Sequence, residues 1–216
     1  MTKHLAGAAL FVAIAVAPAI AQESSATFPF GTPVVVLPVQ SVQPSPGGSW
    51  PGHAATGEEA LRAMDAELEF ALADRRGAEN WALPSALRRR VERNPILDVN
   101  PDRLAYQGLI QRPDARDQIY EPLHGELRTL AALFGTRFLM LPLRLRVETI
   151  PVDGDSPVLA CREDAEPQRA LLLVALIDIR RSAVIWHGNV PGGPVCPESG
   201  ALLASLATVI AREIAE

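Results

Sequence analysis

The apolar positions change period several times along the chain, and each change marks an element. Val34-Val35-Val36-Leu37 is a β-branched run set between Pro33 and Pro38, which predicts a short buried strand. Residues 40–53 are rich in proline, glycine and serine and read as a loop. Thr56 and Glu59 then have the spacing of a capping box, and Leu61, Met64, Leu68, Ala71 and Leu72 follow as one helical stripe. A helix is expected over 57–76, with Arg75 and Arg76 at its negative end and Gly77 in a left-handed cap. Trp81-Ala82-Leu83 is a short strand candidate before Pro84. Leu87 and Val91 pattern a helix over 85–93, stopped by Asn94-Pro95. Asn100 and Pro101 suit the N-cap and first position of another short helix through Leu104, closed near Gly108. Residues 111–117 read as a surface loop.

The second half alternates helix and strand more clearly. Leu123, Leu127, Leu130 and Phe134 share a helical face that begins after Pro122 and ends at Gly135. Over 138–147, Leu141, Leu143, Leu145 and Val147 alternate with Pro142, Arg144 and Arg146, which predicts a strand with one buried and one wet face. Pro142 suggests an edge position or a bulge. Residues 151–168 are acidic and proline-bearing, hence a loop. Residues 170–179 are almost continuously apolar, as in a central strand covered on both faces; Arg180-Arg181-Ser182 turns the chain, and 183–186 returns as the hairpin partner. After a loop at 191–194, Leu202, Leu206, Val209, Ile210 and Ile214 mark a terminal helix over about 198–215. The order β-α-β-α-α-α-β-β-β-α predicts an α/β fold: a single layered sandwich whose mixed sheet ends in an antiparallel meander, with the terminal helix packed on it.

The first 21 residues stand apart. Lys3 and His4 precede an uncharged apolar run from Leu5 to Ile20, and Ala19-Ile20-Ala21 has the small-x-small form of a signal-peptidase site. A cleaved signal peptide over 1–21, a flexible leader over 22–32 and one α/β domain over 33–216 with a helical insertion at about 84–121 are expected. Export would place the protein in an oxidising compartment, the periplasm. Cys161 and Cys196 bracket the hairpin, so a disulfide between them is expected, with free thiols or a bridge to a partner as the alternatives.

Composition then narrows the functional classes. In 216 residues, 48% are apolar and 21% charged, and the net charge is −5. That balance describes a folded chain without the positive field that recruits nucleic acid. Neither a P-loop, a dinucleotide fingerprint, a Gly-x-Ser-x-Gly elbow nor a His-Glu-x-x-His pair occurs, so no cofactor, metal or catalytic set is expected. His124, beside Glu121 and Glu126, could act as a general base, but reads better as a surface histidine. His187 reads as a sheet-edge residue, and Asp178 as a turn-stabilising acceptor. Arg88, Arg89, Arg90 and Arg93 form a basic cluster, and Trp50 sits in a Gly/Pro-rich loop. These five residues are the candidate contact surface for a partner.

The stretch Leu130-Ala131-Ala132-Leu133-Phe134-Gly135-Thr136-Arg137-Phe138-Leu139 resembles a helix-Gly-strand junction of the TolB N-terminal domain and of CsgG-like envelope proteins. Ala175-Leu176-Ile177-Asp178-Ile179-Arg180-Arg181-Ser182-Ala183-Val184-Ile185-Trp186 resembles their hairpin. The resemblance spans roughly 33–83 and 123–215. It implies a non-enzymatic adaptor or assembly subunit that binds other envelope proteins, with a homo-oligomeric ring or secretion scaffold as the alternative. A periplasmic hydrolase using His124 is a further alternative. The chain departs from TolB in showing no β-propeller pattern. It departs from curli-type pores in lacking a lipidation cysteine and paired amphipathic hairpins.

Overall fold

The structure, a computed structural model, describes residues 31–43, 57–73, 75–111, 118–150, 161 and 166–215. The expected signal peptide, nearly all of the leader, the Trp50 loop and the Thr56 cap lie outside those residues. Strands β1 (Val34–Val36), β2 (Phe138–Thr149), β3 (Gln168–Asp178) and β4 (Ala183–Pro191) form a sheet in that spatial order. β1 runs parallel to β2, and the β2-β3 and β3-β4 pairs are antiparallel, so the sheet is mixed and ends in the expected meander. Helices α1 (Gly57–Ala73) and α5 (Leu202–Ala215) lie against one face. Helices α2 (Pro84–Glu92) and α4 (Leu123–Phe134) lie against the other, with a single-turn helix α3 (Gln107–Gln111) beside them. The result is a three-layer α/β/α sandwich with the terminal helix on the sheet.

Each layer follows from the sequence period. Met64, Leu68 and Leu72 of α1 and Leu206, Ile210 and Ile214 of α5 bury against Val34, Val36, Leu172 and Val174. Leu87 of α2 and Leu127 and Leu130 of α4 bury against Val35, Leu37, Leu173 and Ala175 on the reverse. β3 is therefore covered on both faces, which is why its residues read as one apolar run. Gly135 ends α4 in the left-handed conformation (φ 62°), and the Thr136 amide reaches back to the Ala131 carbonyl at 3.1 Å.

Several expectations are corrected. β2 is an interior strand, and the Pro142 signal marks a bulge: Pro142 pairs with Val174 and Arg144 with Leu173, leaving Leu143 as the extra residue. An extra residue inverts the alternation. Leu139, Leu141 and Leu143 consequently face the α2/α4 side, while Leu145 and Val147 face the α1/α5 side. The anticipated wet face does not exist over most of the strand. A second bulge places Ile185 outside the β3-β4 register and leaves it exposed. Gly77 is not a left-handed cap; α1 ends at Ala73, and Gly77 lies within a 3-10 turn at Arg76–Ala78. Residues 100–104 form a turn rather than a helix, because the Asn100 side chain accepts the Asp102 amide at 3.0 Å, an Asx turn that competes with helical bonding. The short helix sits later, at Gln107–Gln111. Trp81-Ala82-Leu83 contributes only a bridge, Ala82 exchanging hydrogen bonds of 2.8 Å with Val34 and Val36.

Candidate partner-binding face

The arginine cluster divides in two. Arg88 turns inward, toward Asp65 and Asp102, and Arg89, Arg90 and Arg93 are exposed. Arg88 grips the Asp102 carboxylate with both Nε (3.0 Å) and a terminal nitrogen (2.6 Å), and the same terminal nitrogen also bonds Asp65 of α1. Asp65 is buried, and its other oxygen accepts the Val39 amide at 2.9 Å. Gln40 extends the network: its amide nitrogen bonds the Pro38 and Pro101 carbonyls at 2.7 and 2.9 Å, and its oxygen accepts the Leu104 amide at 2.9 Å. The network ties α1, α2, the segment after β1 and the 100–104 turn. Burial pushes the Asp65 carboxyl up to about 6, although the Val39 amide and Arg88 both pull it down. Desolvation opposes the Arg88 charge, but the Asp102 and Asp65 hydrogen bonds more than offset it and strengthen that charge. Arg88 thus serves the fold, and only Arg89, Arg90 and Arg93 of the cluster are presented to solvent.

One of those three, Arg90, reaches a second element. The Arg90 guanidinium lies 5.7 Å from the centroid of the Phe134 ring, which joins the outer face of α2 to the end of α4. An open groove of about 570 Å³ runs between the 94–97 turn and α4, lined by Leu97, Gly125, Arg128, Thr129, Ala132 and Leu133. Gly125, Thr129 and Ala132 lie three to four residues apart, so small side chains share the outer stripe of α4 and leave the space open. Ile96, next to the groove, is 95% exposed.

His124 joins two neighbours. Its Nδ1 lies 3.2 Å from Glu121 Oε1 and its Nε2 2.9 Å from the Ser182 hydroxyl. The Glu121 carboxyl is held below its usual range by the Gly125 amide and by His124. This order of groups matches a nucleophile relay, and sequence reading missed Ser182 because it is distant along the chain. The Ser182 carbonyl accepts the Ile119 amide at 2.8 Å, and the Ser182 amide bonds Ile179 at 3.3 Å. Both backbone groups of Ser182 are thus engaged in the turn. The triad clamps the β3-β4 turn to the start of α4.

Asp178 behaves as its position suggests. It accepts the Arg180 amide at 3.1 Å across the turn, and Arg137 holds both of its oxygens, with Nε at 2.8 Å. The Arg137 hydrogen bonds keep its carboxyl below the usual range. His187 is half-buried on β4, the outer strand of the sheet, opposite Ala175. Cys161 and Cys196 form a disulfide with a Cα–Cα separation of 5.3 Å. Trp50 lies outside the described residues. No cluster of metal-binding side chains occurs among the described residues, and none of their helices is long and apolar enough to cross a membrane.

No family model matches the chain, and no curated protein matches it. Among solved structures, two crystal forms of a PelC dodecamer from Paraburkholderia phytofirmans are similar. A variant PelC crystallised in space group C2 is 12% identical, with 89% of this chain and 95% of that chain covered at a TM-score of 0.37. The form in space group P6 is also 12% identical, with 87% and 92% covered at a TM-score of 0.33. Likeness of this degree assigns no function to this chain.

Proposed function

We propose that the protein is an exported, non-catalytic envelope module that binds or helps assemble other periplasmic or outer-membrane components, in the manner of the TolB N-terminal and CsgG-like group. The observation that carries this reading is the division of the arginine cluster: Arg88 is held by Asp65 and Asp102, and Arg89, Arg90 and Arg93 are exposed around the same helix end. The disulfide supports export, because an oxidising compartment maintains it.

The test is capture of envelope proteins by the wild-type chain and by a variant carrying Arg89→Glu, Arg90→Glu and Arg93→Glu. A companion retained by the wild type and lost by the variant, at unchanged thermal stability, is the expected result. Equal capture by both overturns the surface. Native mass distinguishes the ring or scaffold alternative: a uniform self-assembly with no companion favours it.

A further inference from the structure

We propose that Ser182 is a nucleophilic serine that takes an acyl group from an activated ester or thioester. This inference goes beyond the envelope-binding reading and does not rest on it. Three groups converge at the β3-β4 turn: the Ser182 hydroxyl lies 2.9 Å from His124 Nε2, and His124 Nδ1 lies 3.2 Å from Glu121 Oε1. The Gly125 amide and His124 keep Glu121 ionised, and a carboxylate only accepts hydrogen bonds. Nδ1 therefore carries the ring proton, and Nε2 is left to accept from the serine. That is the order a hydroxyl needs to lose its proton as it attacks a carbonyl. Two backbone features serve the same arrangement. Ser182 is the one non-glycine residue with a positive φ (52°) among the described residues, at a turn position where glycine would be the relaxed choice. The hydroxyl that a glycine would lack is the group that meets His124. Gly125 lies in the first turn of α4, where a Cβ would stand 2.9 Å from Glu121 Oε2. Its bare backbone lets that oxygen accept the Gly125 amide at 3.0 Å, while Oε1 meets His124. Neither Ser182 nor His124 is fully buried, which leaves the site open to a small reagent. The relay supplies proton removal, and a donor with a good leaving group is the class that needs least beyond it. In the step, the Ser182 oxygen bonds the acyl carbon while its proton passes to His124 Nε2. The bond to the leaving oxygen or sulfur then breaks and takes up that proton, leaving acyl-Ser182 and a free alcohol or thiol.

The test treats the oxidised full-length chain with p-nitrophenyl acetate and follows p-nitrophenol release, intact mass and peptide maps. Lys3 is the one lysine in the sequence, so competing amines are few. An acetyl group on Ser182 is expected in the folded chain and not after unfolding in urea. Ser182→Gly suits the positive φ, so it should abolish that label while cooperative melting is retained. His124→Gln keeps a hydrogen-bonding amide but no base, and should slow acetylation of Ser182 at least about 100-fold. Glu121 and Gly125 act through His124 as positioning residues. Glu121→Gln and Gly125→Ala should each slow the reaction by a smaller factor and leave its final extent unchanged, a split that a purely structural clamp would not produce. Acetylation only at other residues overturns the inference. So does acetylation of Ser182 at an equal rate in His124→Gln or in urea. Release of p-nitrophenol beyond one equivalent, abolished by Ser182→Gly, keeps the nucleophile and rejects the non-catalytic part of the envelope reading. Envelope capture by the arginine variant is independent of each of these results, so the two readings fail separately.

Discussion

Two buried aspartates in this protein carry opposite pH signatures: burial raises Asp65, and the Arg137 hydrogen bonds lower Asp178. Asp65 ionises in the folded chain near 6, against an ordinary value of 3.8. Between those values the folded chain holds a proton that the unfolded chain has released. Stability through Asp65 is therefore complete at acid pH and declines as pH rises through that window. Asp65→Asn should flatten this slope, which urea denaturation at a series of pH values would show. Arg88→Met leaves Asp65 buried without its cation and should cost about 3 kcal/mol near neutral pH, with a smaller loss in mild acid, where the carboxyl is neutral. Asp178 runs the other way. Its folded value lies below the ordinary one, so its contribution is present above about pH 4 and is lost as acid protonates it. Asp178→Asn should accordingly destabilise near neutral pH and make little difference in strong acid.

At the scale of elements, the sequence was most legible where burial imposes one period. The stripes of α1, α4 and α5 and the continuous run of β3 each name their own class. Legibility failed where a local hydrogen bond or an inserted residue overrides the period. Asn100 looked like a helix cap, yet its side chain satisfies Asp102 in a turn. Leu143 looked like one more inward residue, yet it is the bulge that lets β2 feed both cores. Deleting Leu143 should therefore do more harm than Leu143→Ala: it would restore plain alternation and turn Leu145 and Val147 to the wrong side, which loss of cooperative unfolding would reveal. The close packing of α5 gives a second prediction. A Cβ on Gly192 would stand 3.0 Å from the Leu206 backbone, so α5 would have to shift. Gly192→Ala should cost roughly 1–3 kcal/mol in thermal or chemical denaturation.

At the scale of the molecule, the candidate site was half legible. The arginine run was visible as four like charges, but a string of letters does not say which one turns inward. That division depends on Asp65 and Asp102, both far from Arg88 along the chain. The groove was illegible because α4 and the 94–97 turn meet only after folding. The Ser182 partner of His124 was hidden for the same reason. The cysteine pair was legible because their positions around the hairpin left few alternatives. Cys161→Ser with Cys196→Ser should lower stability by about 4 kcal/mol in the chain-entropy model, measurable as a lower denaturation midpoint.

That bridge also changes how the molecule would bear tension. Cys161 and Cys196 are 35 residues apart in sequence and enclose β3 and β4. If a companion or the cell wall pulled the protein by its two ends, force would pass across the sulfurs and bypass the central hairpin. Fully stretched, the oxidised chain would be shorter than the reduced one by roughly 120 Å, at about 3.5 Å per residue. The innermost strand would keep its covalent enclosure while the outer helices peeled away, leaving a tethered hairpin on which the rest could refold.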